Sequence, residues 1–434
     1  MKVSVFFILP FMIFCLPDRD HSGLSPVFAQ TASSTEEGPH QVYVPGRFLT
    51  TGPGLHWFGY YDKLQFDPSG RYVLAMRTEF ENRSPRAGDE IKIGMIDLGK
   101  EDAWIELGIS RAWNWQQGCM LQFVPGSDSK VIWNDRIGDQ YVSHILDIQT
   151  GEERTLPFPV YTLSPDGKTA LSVDFERINY LRPGYGYAGI PDPYRHLPAP
   201  EQAGIYLCDL EKGKKNLIIS ISEMQKREIE SEDPSHKDRE YGMNWFNHLL
   251  FNTDGTRFVF LHRWKSVSKE SVGGFGTRMY SVNPDGSDVR LVDGSGYTSH
   301  FIWKNPEQLL MWTYHPSYEF GFYLFNEDGN QDPQIIGKET MTRNGHCTYL
   351  PGQNWILNDT YPDSNRMQHV YLFHEGRKQK IPLGDFYLPD AYRGEWRVDT
   401  HPRMSPDGSR VVIDAVDPES GRQLYLLDIS GIVE

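Results

Sequence analysis

Two stretches near the C-terminus carry side chains able to hold a cation. In the first, Gly345-His346-Cys347-Thr348-Tyr349 runs through Pro351-Gly352 to Leu357-Asn358-Asp359-Thr360. In the second, Asp399-Thr400-His401-Pro402-Arg403 runs through Ser405-Pro406-Asp407-Gly408 to Val411-Val412-Ile413-Asp414. His346, Cys347, Asp359 and His401 together offer two imidazoles, a thiolate and a carboxylate. Such an N/S/O set suits a divalent metal, zinc first, with manganese or calcium as alternatives. Adjacent strand residues point to opposite faces, so His346 and Cys347 share an ion only if the strand start is irregular. Otherwise Cys347 is a buried thiol beside a hydrogen-bonded Asp–His pair.

A second constellation is Tyr161 with Arg177. A phenol whose pKa is lowered by a neighbouring cation exchanges protons, and a guanidinium grips a carboxylate through two parallel hydrogen bonds. The competing reading is a structural Tyr–Arg stack. His248 and His300 are further candidates for a general base or a metal ligand.

These residues are far apart in sequence, so something must gather them. Each stretch repeats one pattern: a polar residue, a short apolar run, a tight turn ending in Gly, and a second apolar run closed by a polar residue. Strand–turn–strand units in tandem describe the blades of a β-propeller, whose innermost strands line a central channel. Seven such starts occur, at His56, Gln116/Gln117, Tyr161, His248, His300, His346 and His401. The matching second strands end at Arg77, Asn134/Asp135, Arg177, His262/Arg263, Trp312, Asp359 and Asp414. The expected fold is therefore all-β: a seven-bladed β-propeller of four-stranded antiparallel blades, one domain over residues 30–434. Residues 30–50 serve as a lead-in or as the strand that closes the ring.

Five of the seven starts are histidine, which packing alone does not explain, although a histidine can simply cap its strand. His56, Gln117, Asn134, Arg263 and Tyr185 are the expected substrate-binding residues at this mouth. Tyr185 belongs to Arg182-Pro183-Gly184-Tyr185-Gly186-Tyr187-Ala188-Gly189, inside a long interruption over about 178–240. Such loops at a channel mouth shape binding sites.

The chain has 434 residues, a length that a single propeller accommodates. Its aromatic content of 13%, with 40 Gly and 29 Pro, suits many short strands joined by turns rather than helices. The net charge of −15 argues against nucleic acid as a partner, because that needs a dense basic face. An acidic substrate must then be held by local cations. Met1-Lys2, an apolar run from Val3 to Leu16, and Val27-Phe28-Ala29-Gln30 read as a secretory signal peptide over residues 1–29, placing the protein in the periplasm or outside the cell. No other stretch is long enough to span a membrane. Beyond the leader, Cys119, Cys208 and Cys347 leave at least one thiol unpaired.

The Gly-His-Cys, Asn-Asp-Thr-Tyr-Pro and Asp-Thr-His-Pro-Arg elements, the blade count and the Tyr161/Arg177 spacing resemble the β-propeller polysaccharide lyases. That group includes oligogalacturonate lyase, the propeller ulvan lyases and the rhamnose–glucuronate lyase type. The resemblance covers the chain from about His56 onward. It implies cleavage of an acidic oligo- or polysaccharide by β-elimination: a base takes the proton at C5, a positive group neutralises the carboxylate, and an acid protonates the leaving oxygen at C4. Carried over, Tyr161 is acid or base, Arg177 neutralises the uronate, and His346, Cys347, Asp359 and His401 match a structural zinc. Two departures stand out. Gln116, Gln117, Asn134 and Asp135 occupy the second blade where ulvan lyases place histidines, and the Gln-x-x-His-x-His manganese cluster of oligogalacturonate lyase is absent.

Two other classes compete. Repeated Ser-Pro-Asp-Gly turns also resemble the periplasmic Tol-system propeller, a scaffold without chemistry. A propeller glycosidase would use two carboxylates such as Asp135 and Asp174. A propeller-linked peptidase lacks its Gly-x-Ser-x-Gly segment.

Overall fold

The computed structural model describes residues 39–230, 242–265 and 274–433; the leader read over 1–29 lies outside them. The described chain is a seven-bladed β-propeller with antiparallel blades. The innermost strands, blade one to blade seven, are Leu55–Trp57, Gln122–Phe123, Thr162–Leu163, Met243–Phe251, Phe301–Trp303, Thr348–Tyr349 and Arg403–Met404. Within each blade the strands follow chain order from the channel outward.

The ring is closed by the N-terminal segment. Gly46–Phe48 pairs with Gly421–Asp428 as the fourth strand of blade seven, and Gln41–Val42 adds a fifth strand to blade six. Closure of this kind completes the last blade with a strand from the other end of the chain, joining segments nearly a whole chain apart.

Alternation and burial explain the blades. Second strands such as Lys130–Ile137 and Phe258–Lys265 are buried through most of their length, because each blade is covered on both faces by its neighbours. Trp57, Val73, Ile93, Trp113, Trp115 and Trp133 pack together across blades one and two. The Ser-Pro-Asp-Gly turns work through side chain and backbone together. Ser164 Oγ donates to Asp166 at 2.6 Å, Gly167 N donates to Ser164 O at 2.9 Å, and Gly167 holds φ at +66°, which a side chain would strain.

The interruption expected over 178–240 is two segments. The outer hairpin of blade three, Gly204–Asp209 with Lys214–Ser220, lies inside that range. Before it, helix α1 (Phe175–Leu181) and the Gly/Tyr segment enter between the second and third strands. After it comes helix α2 (Ile221–Ile229), whose first turn is capped by Ser220 accepting from Glu223 N at 3.0 Å. A four-residue strand, Thr169–Ser172, followed directly by a helix hid the blade's continuation from a strand-by-strand reading.

Cys119, Cys208 and Cys347 are free and buried. Among the described residues no helix is long and apolar enough to cross a membrane.

Candidate functional site

Four histidines from four blades meet around the channel axis. The His300 and His346 ring centroids lie 4.0 Å apart, and those of His346 and His401 lie 4.2 Å apart. The Tyr60 ring sits 5.2 Å from both His248 and His401, and the Tyr61 ring sits 5.3 Å from His346. Both tyrosines come from blade one. Between the pairs Trp57–Met76 and Phe66–Val73 the inner strand uses more residues than its partner, and the surplus bulges into the channel. Tyr61 then spans to blade five, where its hydroxyl donates to Phe301 O at 2.8 Å and accepts from Phe301 N at 2.9 Å.

Two of the histidines are held in unusual backbone conformations. His248 has φ +53° and lies where the inner strand of blade four slips register, between Asn247 and Leu250. His401 has φ +41°. Left-handed non-glycine residues of this kind cost conformational energy and persist where the surroundings enforce them. For His248 the enforcement comes from Tyr161, whose hydroxyl accepts from His248 N at 2.9 Å and exchanges hydrogen bonds with the Gln117 amide at 3.0 and 3.1 Å. The same amide approaches His248 Nδ1 at 3.5 Å.

Burial, reinforced by Arg263 and His300, pushes the His248 pKa well below its usual value. Burial and His346 do the same to both His300 and His401. All three are therefore neutral imidazoles at neutral pH, the form that accepts a proton or binds a metal.

One side-chain cluster has the geometry of a metal site. Single ligand atoms of His346, Asp399 and His401 all lie within 4.8 Å of one another. His401 Nε2 and Asp399 Oδ1 are buried without a hydrogen-bond partner, as atoms awaiting a ligand would be. Asp359 stands behind this cluster. It accepts from His346 N at 2.6 Å, Thr400 Oγ1 at 2.5 Å and His401 N at 3.1 Å, and both its oxygens lie 3.0 Å from His346 Nδ1. Burial opposes its ionisation, but His346 and these donors hold its pKa below the usual carboxylate range. So Asp359 fixes the His346 ring, as a carboxylate behind a metal-binding histidine does, with its oxygens already engaged. Gly345 lets the two strands meet there, since a Cβ would lie 1.8 Å from Asp359 O.

Cys347 is not part of the cluster. Next to His346 on a strand, it faces the other way and packs with Leu310, Ile356 and Tyr371 between blades five and six. Burial pushes its thiol pKa up, away from the thiolate that a metal needs.

Beside the histidines opens a pocket of about 320 Å³, lined by Tyr60, Arg182, Tyr185, His248, Arg263, His300 and Tyr361 among others. Arg182 and Arg263 both stack on Phe275, at 4.8 and 4.7 Å. Neither forms an ion pair among the described residues, and Arg182 Nε has no acceptor there. Burial and the repulsion of Arg182 lower the Arg263 pKa to about 10, which leaves it charged at neutral pH. Burial opposes ionisation of Tyr185, yet Arg397 and Arg182 overcome it and hold that phenol below its usual pKa. A buried and a half-buried guanidinium, neither with a carboxylate among the described residues, form a site for an anion. A larger cleft of about 500 Å³ beside α2 has exposed Glu201, Glu223, Lys226 and Glu230 on its wall and no such convergence.

Several expected residues lie elsewhere. Arg177 has no donor left for a ligand. Its Nε donates to Asn244 O at 2.6 Å, and its terminal nitrogens donate to Asp192, Tyr194 O, Leu197 O and Pro198 O at 3.0–3.2 Å. Since it sits on α1 and not at a strand end, it does not face Tyr161. Burial moves the Tyr161 pKa up, opposite to the lowering that a partner cation would give. His56 bonds Gln423 Oε1 at 2.9 Å and packs on Trp104 at 5.4 Å, between blades seven and one. Asn134 is fully engaged with Val160 and Tyr187. Asp135 accepts from Arg111 N, and Asp174 from Gly204 N and Tyr206, so neither carboxylate lines the pocket.

The sequence reading passed over Tyr60, Arg182 and Asp399. The signal for Asp399 was present: two residues before His401, it shares that residue's side of an extended chain. Tyr60 had none, because the bulge that carries it follows an ordinary strand start.

The chain is a seven-bladed propeller that gathers histidines, a carboxylate and two arginines without carboxylate partners among the described residues at its channel. No protein-family model matches the sequence, and no curated protein sequence matches it. Among solved structures it is similar to an oligogalacturonate lyase in complex with manganese, at 14% identity over 89% of this chain and 94% of that one, with a TM-score of 0.62. It is also similar to the oligogalacturonate lyase of Vibrio parahaemolyticus, at 13% identity over 90% and 96%, with a TM-score of 0.60. The β-propeller domain of the Trilobed protease from Pyrococcus furiosus aligns at 11% identity over 86% and 96%, with a TM-score of 0.50. At these identities the likeness establishes the fold.

Proposed function

We propose that the protein is an exported lyase that cleaves a uronic-acid-containing glycan by β-elimination. The observation that carries this reading is the pair of half-buried Arg182 and buried Arg263, without carboxylate partners among the described residues, facing the same pocket as neutral His248. A uronate carboxylate is the anion that such a sugar-sized pocket suits. Its neutralisation by the guanidiniums acidifies the C5 proton. His248 takes that proton, the C–H electrons form the C4–C5 double bond, and the bond from C4 to the glycosidic oxygen breaks. Tyr60, whose phenol is kept protonated by burial, supplies the proton to the departing oxygen. Tyr161 and Gln117 act as positioning residues for His248, and His300 and Tyr185 complete the wall.

The donors His346, Asp399 and His401 fit a divalent cation. Two imidazoles and a carboxylate, with the thiol turned away, favour manganese or zinc over a thiolate-bound zinc centre. When bound, such a cation supplies fixed positive charge beside the pocket. The oligogalacturonate lyase in complex with manganese, similar in fold, carries an ion that agrees with this donor set.

The test is ultraviolet absorbance of the unsaturated uronate product during incubation with a panel of uronate-containing glycans. Arg263→Met is expected to lower kcat/KM by about 10²–10³, as loss of a charge-stabilising group does. Absence of product from every glycan, with folded protein supplied with manganese or zinc, would replace this reading with a non-catalytic scaffold.

A further inference from the structure

Blade five carries an aromatic surface beside the pocket. Tyr297 is 56% exposed and Phe320 51% exposed, with the partly buried Tyr314 against both. Ring centroids lie 5.3 Å apart for Tyr297–Phe320, 5.2 Å for Tyr314–Phe320 and 5.7 Å for Tyr297–Tyr314. Trp312 lies nearly parallel to Phe320, at 13° and 6.4 Å.

The strand pattern puts them together. Tyr314 and Phe320 are cross-strand partners, and Trp312, two residues before Tyr314, shares its face. The surface is continuous with the pocket, since Tyr297, Trp312 and Phe320 line it together with His248 and His300. Grouped rings left half in water forgo hydrophobic burial and mark a place where something binds.

The chemistry selects the occupant. One face of a pyranose ring presents C–H bonds carrying partial positive charge, which complement the negative face of an aromatic ring, while its hydroxyls stay in water. A carboxylate gains nothing here: among the described residues no Lys or Arg stacks on these rings, and Lys338 lies over Tyr318 instead.

We infer that Tyr297, Tyr314, Phe320 and Trp312 form a second sugar subsite, which takes the ring adjoining the uronate in the pocket by its C–H face and requires no carboxylate on it. The identity of the chain rests on the lyase reading above, but the surface itself is tested separately. Tyr297→Ala and Phe320→Ala alter exposed side chains, and an unchanged unfolding transition would establish that each variant is folded. The probes are dimers and tetramers of galacturonate, of mannuronate, and of alternating rhamnose and glucuronate.

If the inference holds, KM for dimers and tetramers alike rises about tenfold in each variant, with kcat little changed. An unchanged KM overturns the subsite and leaves the lyase reading intact. If the wild type cleaves none of these probes, the lyase reading fails, and tryptophan fluorescence titration with the same tetramers decides the subsite. Binding that weakens about tenfold in Phe320→Ala supports it. Equal binding by wild type and variant, or no binding by the wild type, overturns it.

Discussion

Replacing Arg177 with alanine is expected to unfasten the wall of the pocket instead of removing a reacting group. The guanidinium makes five hydrogen bonds and is 1% exposed. Its loss leaves the Asp192 carboxylate, also 1% exposed at its side chain, with only the Tyr194 N–H at 2.8 Å among the described residues. It also orphans Asn244 O, on the strand that carries His248 four residues later. Breaking a buried ion pair costs about 3–5 kcal/mol, because the remaining charge is stranded away from water. For a urea dependence of about 3 kcal/mol per molar, the unfolding midpoint should drop by roughly 1 M or more. The assay is equilibrium unfolding followed by tryptophan fluorescence, paired with limited proteolysis of the segment over 182–203, which should be cut faster. Arg177→Lys, which keeps the cation but not the planar fork, should fall between. An unchanged midpoint and unchanged proteolysis, with turnover abolished, would refute the reasoning and return Arg177 to the substrate.

The site should also destabilise the fold in acid. His248, His300 and His401 have folded pKa values well below the 6.5 of an ordinary histidine, so below about pH 6.5 the unfolded chain binds protons that the folded one does not. Stability is then full above that pH and falls as pH drops, by up to about 1.4 kcal/mol per pH unit for each histidine; flat urea midpoints between about pH 7.5 and pH 5 would contradict it. Metal content, read by plasma mass spectrometry after equilibration with manganese or zinc, should be lost in His401→Ala and kept in Cys347→Ala; the reverse pattern would restore the thiol as a ligand. Tyr60→Phe should lower kcat by about 10²-fold with KM little changed, and wild-type kcat would remove Tyr60 as the proton donor.

How much of this was legible in the chain differs from residue to residue. The blade starts at His300, His346 and His401 were readable because a propeller maps sequence period onto one rim: whatever begins an inner strand arrives near the axis, whereas His248 gets there from inside the strand Met243–Phe251, at its register slip. The same rule misplaced His56, since the bulge after Trp57 carries Tyr60 to the axis and leaves His56 between blades. Arg177 was misread because the short strand before it passes into α1, turning an expected strand end into a helical residue. Cys347 and Asp399 exchanged places for a simpler reason. Alternation along an extended chain turns the neighbour of His346 outward and brings the residue two before His401 inward.

The order of residues along the chain was enough to set the architecture and the rim, because strand periodicity, Gly-containing turns and recurring polar starts are local signals read over a few residues. Which side chains are spent on one another, and which are left for a ligand, emerged only once the blades were packed. Arg177 and Arg263 look alike in sequence, yet one is surrounded by carbonyls and a carboxylate while the other faces a second arginine across Phe275. That difference is a sum over neighbours brought from distant blades, and no local pattern records it.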